Sequence, residues 1–242
     1  MKTTFLITLL AVALAATSIS AQDLSLDFGD GGSITATTIQ LIALITVLSI
    51  APGIVIMVTC FPFIVTVLSI LRMAIGLQQS PPNMLIVSIA LFLTFFVMEP
   101  VLIESWEQGI KPLLDQEIAI DEGFERGFEP FRVFMATRVD PDTFATMSRI
   151  RTDLELTDPG PDTPLSVLIS TFLLSELSRA FQVGFLIFLP FLIIDLVVAA
   201  VLMSMGMMMV PPAIVSLPFK LAFFVVANGW ALVAESLVRS YQ

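Results

Sequence analysis

The chain has 242 residues, of which 57% are hydrophobic and 13% are charged, and its formal net charge is −10. A soluble domain usually holds about 45–50% apolar and about 25% charged residues, so this composition indicates a membrane protein. Histidine is absent and Cys60 is the single cysteine, which excludes a disulfide within the chain, a Cys/His metal cluster and catalysis that uses a histidine base.

The first 21 residues have the pattern of a cleavable signal peptide. Lys2 precedes a short apolar run, Phe5–Ala16, and small residues lead to Ala21, the expected last residue removed. A retained first helix is the alternative, although the run is short for a membrane span. The polar, glycine-bearing residues 22–35 are expected to form a flexible exported tail.

Four apolar blocks follow, and short connectors with glycine and proline join them in pairs. Residues 36–103 predict one helical hairpin and residues 165–242 predict another. The first and third blocks, Ala36–Leu71 and Leu165–Leu202, each exceed one membrane crossing. Breaks are expected at Pro52-Gly53 and Pro62 in the first block, and at Glu176/Arg179 and Pro190 in the third. Such long, interrupted blocks suit burial against other subunits. The sequence therefore predicts an all-α, membrane-associated protein of two long, broken helical hairpins in an obligate assembly.

Residues 104–164 form an acidic middle region with 14 acidic and 6 basic residues, a net charge of −8. Phenylalanines recur there at helical spacing and predict an amphipathic helix: Phe124, Phe128, Phe131 and Phe134. The exported N-terminus and the basic Arg72 beside the first connector place this region and the C-terminus outside the membrane. An acidic chain without a basic patch argues against nucleic-acid binding.

Two pairs of ionisable residues lie inside the apolar blocks, where an unpaired charge is costly. Glu176 and Arg179 are three residues apart on one helical face, so they can form a local ion pair. Asp195 and Lys220 lie at similar distances from the connector between the last two blocks. An antiparallel hairpin therefore places them at similar depth, facing each other. The pair either fixes the register of the hairpin or belongs to a proton or ion relay.

The connector Met203–Pro212 holds five methionines, one glycine and two prolines. Gly206, Pro211 and Pro212 interrupt the helix and predict a loop, because proline cannot continue a helix and glycine permits a turn. Methionine is flexible and fills changing gaps, so the cluster fits either a packed turn or a compliant binding surface. Three consecutive methionines would diverge by about 100° in a helix but can stack in a loop. They are Met207, Met208 and Met209.

Three motifs follow one another along the chain. They are Val67–Arg72 with the connector Gly76–Asn83, then Ala180–Val197, then Met203–Lys220. Together they resemble the signature of the FliP family of flagellar type III export-gate proteins, whose core the related injectisome subunits share. Two segments depart from that pattern and put local partner contacts in question. Thr59-Cys60-Phe61-Pro62-Phe63 replaces a more polar and basic stretch, and Asn228 replaces an aspartate.

The resemblance implies a non-enzymatic helical subunit of the bacterial inner membrane, at the flagellar basal body, with its middle region and C-terminus in the periplasm. It implies a homo-oligomer, expected to be a pentamer, that forms a cone-shaped complex with FliQ and FliR and works with FlhB and FlhA. Unfolded flagellar export substrates would cross its pore. Met207, Met208 and Met209 would seal that pore as a gasket, with Gly206, Pro211 and Pro212 as its hinge.

A secondary transporter of solutes or ions is the rival interpretation, with Asp195 and Lys220 lining its path. The small number of spans and the lack of a visible inverted repeat argue against it. The sequence shows no phosphate-binding loop and no catalytic constellation, so neither an enzyme nor a bound cofactor or metal is expected. The energy for export would come from partner proteins.

Overall fold

The computed structural model describes residues 34–77, 81–150, 158–207 and 209–241. Every regular element in these ranges is helical, which confirms the predicted all-α class. The predicted signal peptide and the predicted tail up to residue 33 lie outside them. The elements are α1 (Ile34–Met57), α2 (Phe61–Ile75), α3 (Asn83–Ser105), a π-helical turn (Trp106–Ile110), α4 (Lys111–Leu114), α5 (Ile120–Arg138), α6 (Pro141–Ile150), α7 (Leu165–Ser204), α8 (Pro212–Val226) and α9 (Gly229–Arg239).

The chain divides into two structural units after Leu48. The described part of the first unit is the beginning of α1, where the Thr46 hydroxyl donates to the Ile42 carbonyl at 2.7 Å. The second unit begins at Ser49 and holds all the other helices. Its core forms where α2 packs along α7, with α3 and α5 beside them. The largest buried side chains of this core include Phe63, Ile64, Leu168 and Phe172.

Of the two helix breaks expected within the first apolar block, the one at Pro52-Gly53 is absent and the one at Pro62 is present. Helix α1 continues through Pro52 and Gly53, and the break comes at residues 58–60. Pro62 lies in the first turn of α2, where its missing N–H removes no helical hydrogen bond. The helix ends at Ile75, and Gly76 caps it with a left-handed φ of +88°. The expected break at Pro62 is therefore present, with the proline in the first turn of the helix that follows it.

The third apolar block is one continuous helix, contrary to the predicted interruptions. Helix α7 has 40 residues and passes through Glu176, Arg179 and Pro190. At 1.5 Å per residue it is about 60 Å long, roughly twice the hydrocarbon thickness of a bilayer. One internal proline removes a single helical hydrogen bond, which packing along such a length can offset. Glu176 is paired and buried, so it does not interrupt the helix.

The fourth block contains the break that the third lacks. Helices α8 and α9 are bent by 62° at Ala227 and Asn228. Asn228 has φ +50°, a left-handed conformation that asparagine tolerates better than most residues. A Cβ atom on Gly229 would lie 2.2 Å from the Phe224 ring, so only glycine fits the start of α9 without displacement. The left-handed backbone at the bend therefore accommodates the asparagine at the second departure from the family pattern.

The acidic middle region is largely helical. The predicted amphipathic helix is α5, in which Phe131 is buried while Phe124 is 74% exposed. Helix α5 packs against the π-helical turn through two glycines, and a Cβ on Gly109 would lie only 2.4 Å from the Gly127 Cα. Beside them the Ser105 hydroxyl donates to the Gly127 carbonyl at 2.5 Å. Close backbone contact, which composition alone does not reveal, thus joins α5 to the end of α3.

In the part of the chain that the structure describes, three helical segments are long and apolar enough to cross a membrane: residues 38–57, 83–114 and 165–204. The bent pair α8–α9 makes a fourth when it is counted as one span. Length and composition are the basis of this count. The described helices therefore fit a membrane protein.

We expect Gly109→Ala to lower the free energy of unfolding by about 1–3 kcal/mol, the usual cost of overpacking. The added methyl would meet the Gly127 backbone, which cannot rotate away as a side chain would. Thermal unfolding of the detergent-solubilised protein measures the effect. Gly160→Ala is the matched control, because no atom lies within 4 Å of its added Cβ. Equal melting temperatures for the two variants would contradict the Gly109–Gly127 contact.

Candidate functional site

The methionine-rich connector is a loop with defined caps at both ends. Helix α7 ends at Ser204, and Gly206 follows with φ +73°. The Gly206 N–H donates to the Met203 carbonyl and the Met207 N–H donates to the Leu202 carbonyl, each at 3.0 Å. These two bonds form a Schellman motif, in which glycine supplies the left-handed residue. The predicted hinge glycine is therefore the C-terminal cap of α7.

The two prolines form the other end of the loop. Pro211 is the N-cap of α8 and Pro212 is its first helical residue. Proline suits that position because its fixed φ favours the helix and its missing N–H costs no hydrogen bond there. The loop is therefore bounded by Gly206 at the end of α7 and by two prolines at the start of α8.

The described methionines of the loop are exposed. Met209 is 96% exposed and Met207 is 37% exposed. Met208 lies outside the described residues. Met205, which follows α7, is 66% exposed. A packed turn would bury such side chains within its own chain, so the gap-filling interpretation does not hold for Met205 and Met209 in this chain.

An apolar groove of about 620 Å³ adjoins the loop. Helix α7 lines it between Ile193 and Leu202, Val215 and Phe219 line it from α8, and Met205 and Met207 close it at the loop. The lining is apolar throughout. The loop and groove thus form one continuous apolar surface at the end of the hairpin.

Asp195 and Lys220 are brought together between α7 and α8. The Lys220 Nζ lies 2.6 Å from the Asp195 Oδ2, and the Ser216 hydroxyl donates to the Asp195 Oδ1 at 2.6 Å. Lys220 is 5% exposed, whereas the Asp195 side chain is 33% exposed. Asp195 and Lys220 therefore face each other between the two helices at similar depth, as the sequence predicts. The Ser216 hydroxyl is an additional partner of the carboxylate.

Lys220 also contacts the first hairpin. Its Nζ donates to the Ala74 carbonyl at 3.0 Å. Ala74 is in the last turn of α2, where helix carbonyls lack N–H partners within the helix and carry partial negative charge. One ammonium group thus joins α8, α7 and α2. Sequence reasoning missed both added partners. Ser216 is four residues before Lys220, a helical spacing that points to it, but no side-chain pattern points to the Ala74 backbone.

Glu176 has more partners than the predicted local pair with Arg179. The side chain is fully buried, and Arg179 Nη1 lies 3.5 Å from its Oε1. Arg138 of α5 is closer, with its Nε 3.1 Å from the same oxygen. The Tyr241 hydroxyl donates to the other carboxylate oxygen. Sequence reasoning missed Arg138 and Tyr241, because no local spacing relates them to Glu176.

The segment at the first departure from the family pattern is mostly buried. Phe63 is fully buried and lies edge-on to the Tyr241 ring, where the resemblance led us to expect a basic residue. Cys60 is also buried, and burial raises the pKa of its thiol to about 12. It stays protonated at neutral pH and is a poor nucleophile or ligand. Within the described ranges no group of three or more metal-ligating side chains comes together.

We expect Lys220→Met to destabilise the protein by up to about 3 kcal/mol. It leaves the Asp195 charge and the Ala74 carbonyl without their partner, and partial exposure of Asp195 limits the cost. Adding Asp195→Asn should recover much of the loss, because it removes the unpaired charge. Thermal unfolding and the yield of monodisperse protein measure both effects.

Arg239→Met is the matched control, since it breaks an exposed pair with Glu235 and should cost under about 1 kcal/mol. A double variant that assembles normally yet loses the activity of the protein in cells would show that the charges do more than fix the hairpin register.

Comparisons with known proteins agree on one family. The model of the FliP family matches residues 44–237. The flagellar biosynthetic protein FliP of Caulobacter vibrioides is 52% identical over 237 residues, covering 97% of this chain and 89% of its own length. The flagellar biosynthetic protein FliP of Bacillus subtilis is 45% identical, covering 85% of this chain and 93% of its own length. That of Aquifex aeolicus is 44% identical, covering 90% of this chain and 91% of its own length. This chain belongs to the FliP family.

Proposed function

We propose that this protein is a core subunit of the flagellar type III export gate, and that its methionine-rich loop seals the pore. The observation that carries the proposal is the exposed apolar loop between two fixed helix ends, with Met209 96% exposed. The relatives' name, flagellar biosynthetic protein, supports the flagellar role.

The seal operates by excluding water. When several copies surround an axis, each contributes the loop Gly206–Pro212, and the methionines form apolar rings. A narrow apolar ring blocks ions because water leaves it, whereas a charged ring would favour ions. The unbranched thioether side chains rotate aside for an unfolded chain and then close behind it. Rings need every loop at the same level, and the contacts of Lys220 with Asp195 and Ala74 supply that register.

The subunit works within an assembly. A homo-oligomer, expected to be a pentamer, would combine with FliQ and FliR into a cone-shaped complex that works with FlhB and FlhA. Large apolar side chains on α3 and α7 support extensive partner or lipid contact. Phe92 and Phe95 are 77% and 62% exposed, and Phe185 and Leu186 are 61% and 64% exposed. Single exposed apolar residues are ordinary, but continuous helix faces of them mark contact surfaces.

The complex would lie in the inner membrane at the flagellar basal body. The middle region and the C-terminus would face the periplasm. The contact of Arg138 in α5 with the Ser240 carbonyl supports placing these two parts on the same side. Unfolded flagellar proteins would cross toward that side.

A solute or ion transporter that uses Asp195 and Lys220 has weaker support. The Lys220 ammonium is engaged by Asp195 and Ala74, and the second Asp195 oxygen is engaged by Ser216. A relay needs groups that exchange partners along a path, whereas these groups satisfy one another. The contacts of Asp195 and Lys220 fit a structural role that holds the helices together.

Replacing Met207, Met208 and Met209 with alanine should leave the complex assembled but raise its ion and small-dye permeability several-fold, because the shorter side chains no longer fill the constriction. Ion and dye entry into cells that express the complex measures the leak. Met203→Ala is the matched control, since this exposed methionine lies in α7 before the glycine cap. An assembled triple variant with an intact barrier would refute the gasket.

A further inference from the structure

The last described residues of the chain lie against a composite pocket. Tyr241 is the single tyrosine of the protein. Its ring centroid lies 5.5 Å from that of Phe63 in α2, edge-on, and 6.1 Å from that of Phe134 in α5, stacked. Its hydroxyl donates to Glu176 in α7. One side chain after α9 thus contacts three helices of the core.

Arg138 holds the same residues from the middle region. Its Nη1 donates to the Ser240 carbonyl at 2.7 Å, and its guanidinium carbon lies 4.1 Å from the Tyr241 ring centroid. A cation over an aromatic face is attracted by the ring quadrupole, and more strongly when water is excluded. Because Arg138 also pairs with Glu176, one guanidinium binds the backbone, the ring and the carboxylate of this site together.

Glu176 makes the tyrosine hydroxyl necessary. A fully buried carboxylate is costly unless each oxygen has partners. Arg138 and Arg179 both approach Oε1, and the Tyr241 hydroxyl is the donor to Oε2. Removing that hydroxyl would leave a buried acceptor without its hydrogen bond, which costs more than the bond itself contributes.

We propose that Tyr241 is a latch that fastens the C-terminal helix pair to the middle region. The pocket formed by Phe63, Phe134, Arg138 and Glu176 takes the phenol, and Arg138 takes the preceding carbonyl. Helix α9 otherwise packs lightly, on α8 and α3. The latch therefore fixes the far end of the bent α8–α9 pair, whose near end carries the methionine-rich loop.

The single tyrosine provides a direct spectroscopic test. Burial and the neighbouring Glu176 carboxylate raise the pKa of Tyr241 far above its ordinary value. The Cys60 thiol acts in the same direction when ionised, and Arg138 acts against it. The ultraviolet absorbance at 295 nm of the detergent-solubilised protein, minus that of Tyr241→Phe, reports phenolate from this residue alone.

At pH 10.5 a free phenol with a pKa of about 10 is about three-quarters ionised. The latch predicts under about one-tenth in the folded protein and the ordinary fraction after denaturation. Circular dichroism at the same pH verifies the fold. An ordinary fraction in the folded protein would overturn the proposal.

Tryptic cleavage after Arg138 gives a second, independent measurement. The Arg138 side chain is 15% exposed and bound by the latch, so trypsin reaches it when the latch opens. Tyr241→Ala should speed this cleavage at least tenfold, and Tyr241→Phe should have a smaller effect because it keeps the ring. Arg239→Ala, an exposed change on α9, should leave the rate unchanged. Cleavage of Tyr241→Ala at the wild-type rate would also overturn the latch.

Discussion

The arrangement of the helices depends on the contacts of the Lys220 ammonium group. It lies among apolar helices, where a charge must be paired, and its two acceptors come from different parts of the chain: Asp195 in α7 and the Ala74 carbonyl at the end of α2. Sliding α8 by one helical turn would move the ammonium by about 5.4 Å and break both contacts. The level of the methionine-rich loop is therefore set by charge pairing.

The buried polar contacts of α7 lie at two levels along the helix. Glu176 is bound by Arg138 and Tyr241, and Asp195 by Lys220 and Ser216. The two carboxylates are 19 residues apart, about 28 Å along the helix. The contact at Glu176 sets the level of α5 and of the end of α9 along α7. The contact at Asp195 sets the level of α8.

Local patterns predicted the helical class, the loop bounded by Gly206 and Pro211, and the common depth of Asp195 and Lys220, because each depends on residues near in sequence or on hairpin geometry. The contacts of Glu176 with Arg138 and Tyr241 could not be predicted, since they join residues far apart in the chain. The helix break expected at Pro190 is absent. Whether a helix stops at proline depends on what packs around it, and α7 continues.

The length of α7 affects the stability of the unassembled chain in the cell. When the helix stands along the membrane normal, about half of its 40 residues must lie beyond the hydrocarbon. Both halves carry exposed apolar side chains, such as Phe181 and Ile193, which would meet water until the other subunits of the proposed assembly cover them. In the proposed assembly, a subunit without its partners would be prone to aggregation and proteolysis, so its cellular abundance should follow theirs.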